Sequence, residues 1–232
     1  MKVLSFDVGV KNLAYCIIER NAEIDKIRKW GVINLVEKEQ AILCNNVKCK
    51  KKAICSKIVK KQRKYYCKKH KLELKLKKVK KLQTTKISLL ELNKRLISKL
   101  DEMKEFLEVE YVIIENQPVL KNPRMKSLQM MIYSYFVLRG IMDKEKTKSH
   151  ILNIDLVFAG SKSKAYKGNT EFDIGTKGSK YIKRKKLSIC QCREMIGEHN
   201  KDLLEFFNEN KKKDDLSDSF LLGIYYLDKY YL

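Results

Sequence analysis

The chain is poor in the residues that punctuate loops and linkers, with 2 Pro and 9 Gly among 232 residues. Combined with 44% hydrophobic and 34% charged residues, that scarcity excludes collagen-like, mucin-like and wholly disordered chains. No run approaches the roughly 18 consecutive apolar residues of a membrane span. The N-terminus opens directly on an apolar, strand-like segment instead of a charged region followed by an apolar stretch and a cleavage site. We therefore expect an intracellular protein without membrane association. A G-x-x-x-x-G-K-S/T loop is missing, which argues against a P-loop nucleotide-binding protein. No internal repeat is evident, and the length fits one α/β domain plus a small insertion.

Acidic residues are also in short supply. Asp and Glu number 28 against 51 Lys and Arg, for a formal net charge of +23. Solubility does not require so much, so a polyanionic partner is expected. The excess is concentrated: Lys48 to Lys81 carries 17 Lys or Arg and one acid. A solvated helix face or a lysine-rich genome would produce similar runs, so charge alone indicates a partner without identifying it.

What is present has a readable order. Lys2–Val10, Ala14–Glu19 and Ile27–Leu35 have the apolar patterning of a three-stranded meander. Residues 37–83 lose that periodicity and gain Cys and Lys, which marks an insertion between residues 1–36 and 84–232. Thr84 or Thr85 is placed to cap a helix, and Glu110–Glu115 reads as a buried strand. Asn122 should cap a second helix reaching about Leu138 and stopped by Gly140, followed by a strand at His150–Phe158. Ala159–Tyr181 reads as a flexible loop, and Lys183–Ile196 and Asp214–Tyr231 as helices. This is the element order of a ribonuclease-H-like α/β domain: a mixed sheet flanked by helices, here with a small basic insertion.

Three places carry carboxylates where they are costly. Asp7 lies inside the apolar VLSFDVGV, and Glu115 ends the apolar VIIENQP where strand becomes loop. In KKKDDLSDSF, Asp215 and Asp218 (i, i+3) share a helix face, and so do Asp214 and Asp218 (i, i+4). Any one of these acids has an ordinary explanation as a turn residue, a salt-bridge partner or a helix N-terminal acid. Together they offer hard oxygen ligands from two strands and a helix, suited to Mg2+ or Mn2+. Two such ions roughly 4 Å apart support phosphodiester hydrolysis.

SFDVGVKNLAYCIIE, VIIENQP, KKDDLSDSFLLG, the WGVINL strand and the helix RMKSLQMMIYSYF resemble, in order, the segments of the poxvirus-type Holliday junction resolvases and their relatives in other large DNA viruses. That family belongs to the RuvC-like branch of the ribonuclease H superfamily. The resemblance implies that Asp7, Glu115, Asp215 and Asp218 bind the metal ions, with Asp214 a neighbour. It also implies a homodimer that cuts two strands of a four-way junction, and a basic residue near the scissile phosphate, matched by Lys185 or Lys186 in YIKRKKLSI. For a viral chain the expected location is the host cytoplasm. The helix Arg124–Leu138, with Met125, Leu128, Met131, Ile132, Tyr135 and Phe136, holds more apolar residues than one buried stripe needs, which makes it either the dimer face or a helix buried deep in the core. Rival readings are another RuvC-like nuclease acting on flaps or RNA-containing duplexes, and a non-catalytic zinc nucleic-acid binder.

Seven Cys without a secretion signal indicate thiols or metal. Cys44 and Cys49 form C-x4-C, and Cys67 and His70 form C-x2-H. The set has the composition of a structural Zn2+ site, with Cys55 a possible substitute for Cys49. Family members in large DNA viruses have a similar insertion ending in YYC-x2-H, whereas the poxvirus members are shorter here. Zinc would give shape to a Lys-rich segment with few large apolar residues.

Overall fold

The computed structural model describes residues 1–22, 24–36, 42–46, 48–71, 76–78, 87–120, 122–168, 172, 179–197 and 200–230. The expected caps Thr84 and Thr85, the insertion boundaries at 37 and 83–84, and the expected helix end Tyr231 lie outside them. The chain divides into two compact units, Met1–Leu35 with Leu89–Leu232, and Val36–Ser88.

In the larger unit, β1 (Lys2–Asp7), β2 (Leu13–Asn21) and β3 (Ile24–Ile33) form the antiparallel meander. In the smaller unit, β4 (Cys55–Val59), β5 (Gln62–Tyr66) and β6 (Lys77–Lys78) form a second sheet in the order β5-β4-β6. The larger unit continues through α1 (Leu89–Asp101), β7 (Tyr111–Asn116), α2 (Pro123–Phe136), the short α3 (Lys144–Thr147) and β8 (Asn153–Phe158). It closes with α4 (Lys180–Gly197), α5 (Lys201–Glu209) and α6 (Lys213–Tyr230). Its sheet order is β3-β2-β1-β7-β8, with β7 parallel to both β1 and β8. This is the mixed sheet flanked by helices expected from the sequence.

Alternation along β1 allocates the two faces. Leu4 and Phe6 are fully buried, and Phe6 meets Phe106 and Phe136 with ring centroids at 5.7 Å. Val3, Ser5 and Asp7 point the other way, towards α6. Ser5 Oγ donates to the Ser219 carbonyl at 2.7 Å. Trp30 Nε1 donates to the Leu216 carbonyl at 3.2 Å, and its ring stacks on Phe207 at 5.3 Å. Gly223 lets α6 lie close to the sheet, since a Cβ there would sit 2.7 Å from Ile18 Cδ1. These contacts fix the N-terminal half of α6, which carries the acidic cluster, above the end of β1.

Several local expectations change. The helix near residue 137 does not stop at Gly140: a π-helical segment runs from Val137 to Met142. Gly140 is buried there, with no room for a side chain, since a Cβ would sit 2.7 Å from Ile151 Cδ1. Asn122 does cap α2, accepting from the Met125 N–H at 3.3 Å. Ala159–Lys164, expected to be flexible, is a 3-10 helix directly after β8. Of the apolar residues on α2 expected to face a partner, Leu128, Ile132, Tyr135 and Phe136 are buried. The surface that remains is a groove of about 720 Å³ between α1 and α2, lined in part by Leu89, Ile97, Met130 and Leu138.

Candidate active site and metal cluster

Asp7 is the last residue of β1, one step beyond the parallel Phe6–Ile114 pair, and Glu115 occupies the matching step on β7. Both carboxylates therefore leave the sheet side by side at the same edge. Asp215 and Asp218 come down from α6. The group that joins them is one the sequence reading missed. Lys162, on the 3-10 helix after β8, places its Nζ 3.1 Å from Asp7 Oδ1, 3.2 Å from Glu115 Oε2 and 3.2 Å from Asp218 Oδ2. Its side chain is only 9% exposed. A cation buried there must be compensated, and three carboxylates compensate it.

The electrostatics follow from that crowding. Burial is the main cause pushing the Asp7 carboxyl up, opposed by Lys162 and reinforced by a hydrogen bond and repulsion from Glu115, to about 7. Asp218 is raised chiefly by burial, again opposed by Lys162. Asp215 reaches about 6 through burial and the charges of Asp214 and Asp7. Among the described residues its buried Oδ2 has no hydrogen-bond partner, and the Lys212 ammonium lies 3.8 Å away. For Lys162, burial works against the charged form, but the three acids outweigh it and raise the ammonium. A buried, unbonded carboxylate oxygen beside acids that hold protons too readily fits a divalent cation, which binds hard oxygen ligands and displaces protons.

Lys185 is placed next to the site but not on those three acids. Its ammonium pairs with Asp214 and lies over the Tyr181 ring at 5.1 Å. Burial tends to raise Asp214, and the hydrogen bond from Lys185 overrides it to hold that acid low. Lys186 is exposed on the same helix. No local pattern marks Lys162, which lies four residues past the end of β8 in a segment without periodicity.

In the smaller unit, Cys44, Cys49, Cys67 and His70 bring one ligand atom each to within 4.8 Å of one another. Cys44 Sγ and Cys67 Sγ both lie 3.5 Å from His70 Nδ1, and Cys49 Sγ is 3.8 Å from Cys67 Sγ. Desolvation opposes ionisation of Cys67, but backbone N–H groups of His70 and Lys69 lower its thiol to about 7. Three sulfurs and one imidazole in a closed group match the donor set of a structural Zn2+. Cys55 lies in β4 with its Sγ towards the Tyr66 carbonyl at 3.5 Å, outside the group. The loops around the cluster are tied by Asn45 N–H to the Tyr65 carbonyl (2.8 Å) and Tyr65 N–H to Asn45 Oδ1 (2.7 Å).

A ribonuclease-H-like sheet with acids converging at the edge of its first strand defines the class of protein. Comparison with known proteins narrows it. Residues 3–119 match the family described as mitochondrial resolvase Ydc2 / RNA splicing MRS1. The chain belongs to that family, which makes it homologous to a Holliday junction resolvase. It is 30% identical over 315 residues to the uncharacterized protein L451 of Acanthamoeba polyphaga mimivirus, covering 98% of this chain and 75% of that one. Among solved structures it shares the fold of the yeast mitochondrial Holliday junction resolvase Ydc2, with TM-score 0.54, 18% identity, and 97% of this chain and 78% of that one covered. It also shares the fold of the fowlpox virus resolvase in complex with Holliday junction DNA, with TM-score 0.51, 17% identity and both chains fully covered.

Proposed function

We propose that the protein is a divalent-metal-dependent DNA endonuclease that resolves four-way junctions by paired symmetric nicks. The observation that carries this reading is the convergence of Asp7, Glu115 and Asp218 on one buried ammonium, with Asp215 beside them, in a chain homologous to a junction resolvase. Asp7, Glu115, Asp215 and Asp218 would hold two Mg2+ or Mn2+ ions, which when bound supply water activation and stabilisation of the leaving oxygen. Lys162 holds the acids together without metal, and its ammonium is the group best placed to meet a scissile phosphate. Lys185 and Lys186, the residues matched by resemblance, act at the rim on α4, where Lys185 also orients Asp214. The cluster of Cys44, Cys49, Cys67 and His70 holds one structural Zn2+.

One site cuts one strand, so symmetric resolution needs two copies related by a two-fold axis. The homodimer has the apolar groove between α1 and α2 available as its interface. The mimivirus relative supports a viral protein, and for such a protein we propose the host cytoplasm as the place of action. No described helix is long and apolar enough to cross a membrane.

The family description also covers an RNA splicing protein, so a binder that does not cut is the reading to separate. The experiment presents Mg2+ and wild-type protein with labelled four-way junctions, flaps, RNA–DNA hybrids and linear duplex. Paired cuts confined to the junction support the proposal. Preference for flaps or hybrids makes this a different RuvC-like nuclease, and binding without nicking makes it a nucleic-acid adaptor.

A further inference from the structure

In the smaller unit, β4 and β5 form a hairpin whose outer part is, among the described residues, a two-stranded ribbon. Among those residues the third strand, β6, pairs with Cys55 and Ser56, and Lys57–Lys64 extend past it. Every charged residue between Lys48 and Lys71 is basic. The ribbon places two of these bases against each other: Lys57 is directly opposite Lys64, an arrangement that costs stability because like charges repel across the ladder. At the tip, Val59 pairs with Gln62, leaving a two-residue turn of Lys60 and Lys61 with φ of 47° and 65°. Hairpin turns with two positive φ values favour Asn-Gly, and two lysines there are strained. Local stability would select neither feature. Counter-charge from a polyanion relieves the repulsion between Lys57 and Lys64, and the strained turn holds two further cations at the tip where such a partner would meet them.

We infer that this ribbon is a DNA-duplex binder which inserts its tip into the major groove, where Lys60 and Lys61 meet phosphates of the groove walls, with Lys57, Arg63 and Lys64 on the flanking phosphates. Dimensions favour that partner. Two strands about 4.8 Å apart, with their side chains, suit the major groove of B-form DNA, about 12 Å wide, which admits a two-stranded ribbon. The deep, narrow major groove of A-form RNA does not. An acidic protein partner would need an apolar centre to its interface, whereas the exposed part of the ribbon offers one large apolar side chain, Ile58. The metal cluster at the base of the hairpin gives the ribbon the rigidity that insertion needs. The inference concerns the DNA partner of the proposed function but is tested by binding alone, so it stands or falls separately from cleavage.

The test uses the full chain with Lys60→Asn and Lys61→Gly together. That pair removes two charges while installing the residues the turn prefers, so the hairpin is kept or strengthened. Affinity for a 30-base-pair duplex is measured by fluorescence anisotropy from 50 to 300 mM salt with Ca2+. The variant should lower the slope of log K against log salt by about 2, one unit per lost phosphate contact. Glucosylated hydroxymethylcytosine, which fills the major groove, should weaken the wild type and leave the variant little changed, while a minor-groove ligand should affect neither. Lys57→Gln with Lys64→Gln should reduce the slope similarly and raise the melting temperature of the smaller unit. An unchanged slope in the tip variant, or equal affinity for an RNA duplex, would overturn the inference.

Discussion

The two units of this protein handle unbalanced charge in opposite ways. At the edge of the larger sheet, acids are forced together in the interior and a buried lysine neutralises them. In the smaller unit, bases are spread over a surface with almost no apolar core, and a group of four soft ligands holds the backbone. In the first case hydrophobic packing positions the charges: Ser5, Trp30 and Gly223 set α6 on the sheet, and the acids follow. In the second, packing among the described residues is thin, and the proposed Zn2+ would supply the shape. On the proposed function, the interior acids serve a cation-dependent reaction and the exterior bases a polyanion.

The largest effect expected from breaking this contrast lies in the smaller unit. Free energies of structural zinc binding are on the order of 10–16 kcal/mol and are realised as folding. Chelation, or Cys67→Ser, should make residues 36–88 sensitive to protease while the larger unit keeps its melting transition. Elemental analysis should find about one zinc per wild-type chain and the same in Cys55→Ser. In the larger unit, Asp7→Asn, Glu115→Gln and Asp218→Asn should each bring junction cleavage to the background rate with binding retained, since none removes a cation that grips DNA. Lys162→Met leaves buried acids without their counter-charge, so it should cost about 3–5 kcal/mol of stability without metal. Divalent ions should recover more of that loss in this variant than they add to the wild type, as read by thermal melts with Ca2+.

The smallest effect is on pH dependence. Asp7 rises from 3.8 to about 7 and Asp215 from 3.8 to about 6. Between about pH 4 and 7 the folded, metal-free protein thus holds more protons than the unfolded chain. The stability these acids contribute is complete below about pH 4 and is lost as pH rises through 6 and 7. Melting temperatures of the wild type should therefore fall relative to Asp7→Asn as pH is raised from 5 to 8, and divalent ions should shrink the difference.

Much of the larger unit was legible in the sequence, because strand periodicity and apolar runs report directly on burial. The meander, the EYVIIE strand and the Asn122 cap are local signals, and so is the helical face shared by Asp215 and Asp218. Lys162 was not legible, since the segment AGSKSK has neither periodicity nor an apolar residue larger than Ala to mark it as ordered. Its importance comes from the tertiary approach of the 3-10 helix after β8 to α6 and to the ends of β1 and β7. The apolar excess of α2 is accounted for in a related way: a helix lying against β7 on one side and α1 on another buries more than one stripe, taking Leu128, Ile132, Tyr135 and Phe136 into the core while Met130 stays on the groove. The ribbon was hidden because its strands hold five basic or polar residues, Ser56, Lys57, Gln62, Arg63 and Lys64, against two aliphatic ones, Ile58 and Val59, and no alternation signals them.

The claim that four acids from two strands and one helix make a junction-resolving site is tested most directly on a circular plasmid with an extruded cruciform. Wild-type protein, Asp7→Asn protein and mixtures of the two are incubated with it in Mg2+, and nicks per junction are counted. The account predicts linear product with ligatable 5′-phosphate ends from wild type, single nicks from mixed dimers, and no nicks from Asp7→Asn. Nicking by Asp7→Asn at the wild-type rate, or cutting of linear duplex as fast as the cruciform, would contradict it.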